Sequence, residues 1–193
     1  MCNSNEKKRK FQNMFYSFLE KISRRKQLSL LKKHPSVFFE NIKLGVGNRF
    51  IFHKDVKKVS IGMAADIRNY SFIIALQNAT LEIGNNFFMN NFCSINCLDH
   101  ISIGENTLFG ENVKLYDHNH AYETIPVFKV QPSEFTKAPI KIGSNCWLGS
   151  NVTVLKGVTI GDNCIIGAGC TIFKDIPANT KVINNQELIF SPL

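Results

Sequence analysis

No uninterrupted apolar run in this chain approaches the roughly 20 residues needed to cross a bilayer, so no stretch reads as a membrane-spanning helix. The opening stretch MCNSNEKKRKFQNMFYSFLEKISRRK lacks the apolar centre and small-residue cleavage site of a secretory signal. A cytoplasmic protein is the expectation. Cysteines at metal-ligand spacing are missing too. The six cysteines stand at 2, 93, 97, 146, 164 and 170, with no C-x-x-C pair and no Cys/His spacing that fits a zinc site. Reduced, mostly buried thiols are expected. Most of the chain also lacks net charge. Residues 1–33 hold ten Lys/Arg against two Glu, the whole of the net +8, while residues 34–193 balance thirteen against thirteen. A neutral body lacks the clustered positive face of a nucleic-acid footprint, so no nucleic-acid partner is expected.

What the sequence does have is a repeat. From Ile142 it reads in steps of six as IGSNCW LGSNVT VLKGVT IGDNCI IGAGCT IFKDIP, with an aliphatic residue opening every block. The same phase runs through IGNNFF MNNFCS INCLDH from Ile83 and IGENTL FGENVK LYDHNH from Ile103, and more weakly from Ile61. A period of six fits neither a helix nor a two-sided strand. It fits a solenoid of short strands joined by tight turns, in which stacked coils bury an aliphatic column that no coil could bury alone. Gly and Asn beside the openings permit turn conformations that a Cβ opposes. Three hexads make one triangular coil, and the blocks 61–78, 83–100, 103–120, 142–159 and 160–177 are five of them, with an irregular first coil over 42–60. Cys93, Cys146, Cys164 and Cys170 take the small inward position of a hexad.

Two segments stand outside the repeat. Residues 6–33 read as a helix, with Phe11, Met14, Phe15, Phe18, Leu19 and Ile22 at helical spacing among Lys and Arg. Such a helix packs its stripe on the solenoid or on a neighbour, lies on anionic lipid, or binds nucleic acid. The hexad phase then breaks over residues 121–139, which include Pro126, Pro132 and Pro139. Loops that long in a compact domain are functional or disordered. The organisation expected is a basic helical extension over 1–40, a solenoid domain over 41–183 with a projecting loop at 121–139, and a tail at 184–193. His118 and His120, two of five histidines, stand where the loop leaves. On a strand, H-x-H projects both imidazoles to one side. That arrangement suits a metal pair with Asp117 as a third ligand, a catalytic base with supports, or a polar surface. No metal is the reading preferred here.

The stretches NFFMNNFCSI, LYDHNHAYE and IKIGSNCWLGSNVTVLKGVTIGDNCIIGAGCTIFKDIP, in this order, resemble the hexapeptide-repeat acyltransferases over roughly residues 81–180. The similarity is to the maltose/galactoside acetyltransferase branch and related polysaccharide O-acetyltransferases. The resemblance implies an all-β, left-handed parallel β-helix, an exception to the right-handed crossover rule. It implies acetyl-CoA as co-substrate, a sugar or saccharide acceptor and a homotrimer with the site between subunits. It implies His120 as catalytic base and Asn90 as the residue that places substrate and thioester. Beside that base, Asp117 and Glu123 are the nearest side chains to orient His120, His118 shares its side of the strand, and these three with Phe88 are expected toward the acceptor. It implies Trp147, Gly149, Ser150, Ala168 and Lys174 along the cofactor. For Trp147 the alternative is packing at a solenoid corner. This sequence departs from the family at Phe173, where a threonine is usual, at Cys97–Leu98, where an acidic acceptor-site residue is usual, and at the C-terminus KVINNQELIFSPL, which lacks the usual basic end. Lys156, Lys174, Lys181 or a neighbour's basic helix is left to hold the CoA phosphates. Rival readings are an amino-sugar N-acetyltransferase, a xenobiotic or serine acetyltransferase, and a solenoid without catalytic activity.

Overall fold

The computed structural model describes residues 2–185, 189 and 191, and at 2–5, 7, 8, 11 and 13 the backbone alone. The side chains of Cys2 and Phe11 and most of the expected tail at 184–193 lie outside the described residues. A long helix, α1 (Cys2–Lys33), leads into a parallel β-solenoid of about six turns.

Each coil contributes one short strand to each of three faces. The first face stacks Val37–Phe39, Lys58–Ile61, Thr80–Ile83, His100–Ile103, Ile140–Ile142 and Thr159–Ile160. The second stacks Lys43–Leu44, Asp66–Ile67, Phe88–Met89, Leu108–Phe109, Trp147–Leu148, Ile165–Ile166 and Lys181–Val182. The third stacks Arg49–Phe52, Phe72–Ala75, Ser94–Cys97, Lys114–Tyr116, Thr153–Leu155 and Thr171–Ile172. The register follows the hexads: on the third face Ile73, Ile95, Leu115, Val154 and Ile172 pair in turn. All of these openings are buried, as are Ile67, Met89, Phe109, Leu148 and Ile166 on the second face. Fully burying one such side chain stabilises by about 1.5–3 kcal/mol, so the column is the main source of cohesion. The irregular first coil is built from residues 37–52, ahead of the 42–60 expected from the sequence, because Lys58–Ile61 already stacks on Val37–Phe39 as the start of the second coil.

The corners carry the backbone strain. Asn86, Asn106, Asn145, Asn163 and Asn179 all hold φ between 53° and 59°, a left-handed conformation that Asn tolerates better than most residues. Their carboxamides also bond to one another from coil to coil, at 2.9, 3.2, 3.2 and 3.0 Å. Gly104 is needed for a different reason: a Cβ there would lie 2.4 Å from the Ser144 nitrogen of the next coil.

Cys93, Cys146, Cys164 and Cys170 are free thiols in the core, as their hexad position implies, and Cys97 is buried beside them. Burial pushes the Cys93 thiol up to about 11 and raises that of Cys146. A protonated thiol is neither nucleophile nor metal ligand, so Cys93 and Cys146 serve packing, and Cys164 and Cys170 fill the same enclosed position in their hexads.

The interruption is a built element. The chain leaves the third face after Tyr116 as a two-stranded antiparallel hairpin, going out along His118–Glu123 and returning along Lys129–Lys137. It therefore begins at His118, three residues ahead of the position set by hexad phase. The coils on either side still stack directly, with Ile101 paired to Ile140 and Lys114 to Thr153.

Candidate active site

The hairpin root is set by one buried carboxylate. Asp117 occupies the inward position next along from Leu115, equivalent to Cys97 one coil earlier, and is fully buried. Its Oδ1 and Oδ2 accept from the Leu98 N–H at 2.9 Å, and Oδ2 also accepts from the Asp99 N–H at 2.7 Å. Its carbonyl accepts from the Ala138 N–H, which closes the hairpin. A buried carboxylate is tolerable only with such partners. The sequence placed Asp117 toward the acceptor; burial excludes that contact, and its role is to anchor the root.

The same carboxylate reaches His118. Nδ1 of His118 lies 3.1 Å from Asp117 Oδ1, and the ring is largely buried. With the proton on Nδ1 donated to the carboxylate, Nε2 is left as the basic nitrogen. His120 is exposed and touches neither proposed support. Asp117 is engaged with His118, and Glu123 Oε1 accepts from Gln131 Nε2 at 2.8 Å farther along the hairpin. Phe135, the cross-strand partner of His120, holds both imidazoles on one side. Its ring centroid is 5.3 Å from His118, edge to face, and 4.7 Å from His120, tilted by 38°. Phe135 was not singled out in the sequence, because its partnership depends on a hairpin register that hexad phase does not reveal. Tyr116 closes on the other edge of His118 at 6.2 Å. Among the described residues, no cluster of three His, Cys, Asp or Glu is placed to hold a metal.

The expected cofactor residues lie elsewhere, on the second face and its corners. Trp147 projects outward, 52% exposed, between Leu108 and Ile165 of adjacent coils, and Phe88 continues the column one coil earlier. Lys181 follows Ile165 at the far end, so an apolar stripe four coils long ends at a cation. At about 4.8 Å per coil the stripe runs about 14 Å. The Arg68 guanidinium lies 5.4 Å over the Phe88 ring. A Cβ on Gly149 would lie 2.7 Å from the Ala168 nitrogen, so these two residues set the coil spacing at the corner. Ser150 Oγ accepts from the Glu111 N–H at 3.2 Å. Asn90 turns its Oδ1 to the Asn91 N–H at 2.9 Å, which leaves its amide nitrogen as a donor. Lys174 is exposed, and so is Phe173 beside it. Lys156 Nζ donates to Thr136 Oγ1 of the hairpin at 2.9 Å, so it braces the return strand.

In a three-sided prism the corner between the third and first faces lies opposite the second face. The hairpin histidines leave from that corner, and the Trp147 stripe lies on that second face. One copy of the chain therefore keeps its histidines and its stripe apart.

A family model described as bacterial transferase hexapeptide (six repeats) matches residues 139–174. The galactoside O-acetyltransferase of Escherichia coli K12 is 41% identical over 103 residues, covering 52% of this chain and 48% of its own length. An O-acetyl transferase named for lipopolysaccharide biosynthesis in the same organism, WbbJ, is 30% identical over 114 residues, covering 56% of this chain and 58% of its own. A galactoside acetyltransferase solved in complex with coenzyme A aligns at 28% identity with a TM-score of 0.52, over 81% of this chain and 64% of that one. The chain spans about half the length of the curated relatives it matches.

Proposed function

We propose that the chain, like the hexapeptide-repeat acetyltransferases it matches, transfers the acetyl group of acetyl-CoA to a sugar hydroxyl. The observation that carries the proposal is the hairpin root, where two imidazoles share one side of a strand under Phe135. An alcohol is a poor nucleophile at neutral pH, and an imidazole has the intrinsic basicity to take its proton. In this mechanism His120 accepts the hydroxyl proton as the oxygen bonds to the thioester carbon. The carbon–sulfur bond then breaks, and CoA leaves as thiolate and takes the proton from the imidazolium. The Asn90 amide or a backbone N–H steadies the oxyanion. The galactoside and lipopolysaccharide relatives favour a saccharide of a surface polysaccharide or its precursor as acceptor.

A second reading has one observation behind it. His118, not His120, carries the carboxylate support, so His118 is the alternative base and His120 then contacts the acceptor. The test follows free thiol released from acetyl-CoA with a panel of hydroxyl and amino sugars. His120→Ala is expected to lower kcat by about 10²–10⁴ and His118→Ala by less. The reverse order transfers the base to His118, and full turnover in both variants overturns the mechanism.

The separation of histidines and stripe within one copy also supports a homotrimer in which each hairpin reaches a neighbour's second face. Neither His120→Ala nor Trp147→Ala should then turn over well alone. Mixed and reassembled in equal amounts, they should regain about a quarter of wild-type sites. No recovery on mixing would place the whole site in one subunit.

A further inference from the structure

The N-terminal helix has two apolar faces, and only one of them is used. Leu28 and Leu31 in its last turns pack into the solenoid core, and Gln27 donates to the Asn48 carbonyl at 2.9 Å. Met14, Phe15, Phe18, Leu19 and Ile22 are 44–63% exposed. At 100° per residue these five share one stripe, centred roughly 150° around the helix from Leu28 and Leu31. The docking of the last turns therefore turns the stripe away from the solenoid, and no bend short of breaking the helix brings it back. The sequence had left open that this stripe packs on its own solenoid; the exposed side chains and the docked ones exclude it.

The charges around the stripe identify what covers it. Lys21 and Arg25 border it on one side and Lys26 on the other. The helix has two carboxylates, Glu6 and Glu20, and these are bonded to Lys10 at 3.0 Å and Arg24 at 3.2 Å, each one turn away. The cations bordering the stripe are thus left to face outward beside exposed aromatic and aliphatic groups. A second copy of this helix would bring the same cations against one another. A surface that is apolar beneath and anionic above matches both features at once. No described helix is long and apolar enough to cross a membrane, and the stripe instead has the form of a helix lying in the interfacial plane.

We propose that α1 lies on an anionic lipid surface through Met14, Phe15, Phe18, Leu19 and Ile22, with Lys21, Arg25 and Lys26 at the headgroups, and so holds the solenoid at a membrane. The proposal stands apart from the acetyl-transfer reading, and its readout involves no turnover. The full chain is co-sedimented with vesicles of phosphatidylcholine containing phosphatidylglycerol and with vesicles of phosphatidylcholine alone, at low and high salt. Binding to the anionic vesicles is expected, weakened by salt and lowered about ten-fold or more by the double substitution Phe15→Ser with Phe18→Ser. These side chains touch no part of the solenoid, so the variant's thermal transition should match the parent's. Absence of binding at low salt overturns the proposal, as does binding that the double substitution leaves unchanged. So does a variant whose sedimentation mass falls while its vesicle binding stays the same, which would show the stripe covered by a second copy.

Discussion

The solenoid and the helix are built from the same kinds of apolar residue, and they treat them in opposite ways. On the third face Ile95, Leu115 and Val154 are completely enclosed, while Phe15 and Phe18 stand half in solvent. The difference is one of neighbours. A coil has another coil on each side at strand spacing, so an inward side chain is enclosed whichever coil it belongs to. Among the described residues the helix meets the solenoid only through its final turns, and no described element lies beside the rest. Hydrophobicity in this chain therefore records cohesion in one region and availability in the other.

The comparison can be broken in three places. The largest effect is expected in the column: Leu115→Ala should cost about 2–5 kcal/mol in denaturant unfolding, the usual range for truncating an enclosed leucine. A cost below 1 kcal/mol would mean that the coils adjust freely and that the column is not the source of cohesion. A smaller effect is expected at the corner, where Asn145→Ala removes two carboxamide bonds of the ladder and puts alanine at φ 55°. The expected loss is about 1–2 kcal/mol, visible as a lowered thermal transition. The smallest is in the helix, where Phe18→Ala should leave stability within about 0.5 kcal/mol of the parent. A loss there as large as in the column would show that the stripe is enclosed in solution after all.

How far the sequence could be read follows from the same contrast. The hexads state the fold openly, because each opening residue meets its counterpart in the next coil and the period repeats that fact many times over. The inward cysteines could be read as packing for the same reason. The hairpin was harder. Hexad phase carries through LYDHNH because Leu115 and Asp117 do point inward, yet the chain has left the third face by His118. The signal at that point was Asp117 itself, a charged residue at an enclosed position, which makes sense only where the chain must be tied down as it departs. Asp117 was read as a support for His120 and as part of the acceptor side because a carboxylate beside histidine suggests chemistry. Its bonds to the Leu98 and Asp99 N–H groups depend on a strand one coil away, which no local pattern shows. The direction of the helix stripe was equally out of reach, since it depends on which later residues dock.

The stacking of coils across the hairpin has a consequence for how such a protein can change. The ladder bond from Asn86 to Asn106 joins residues 20 apart in sequence, and the bond from Asn106 to Asn145 joins residues 39 apart with nearly the same reach. The framework does not register the difference. Residues 121–134, outward of His118, His120 and Phe135, can be lengthened, shortened or exchanged without renegotiating a contact of the column, provided that the tie at Asp117 and the return at Ala138 are kept. The outer hairpin is a cartridge in a fixed housing, free to vary while the coils that carry it stay as they are.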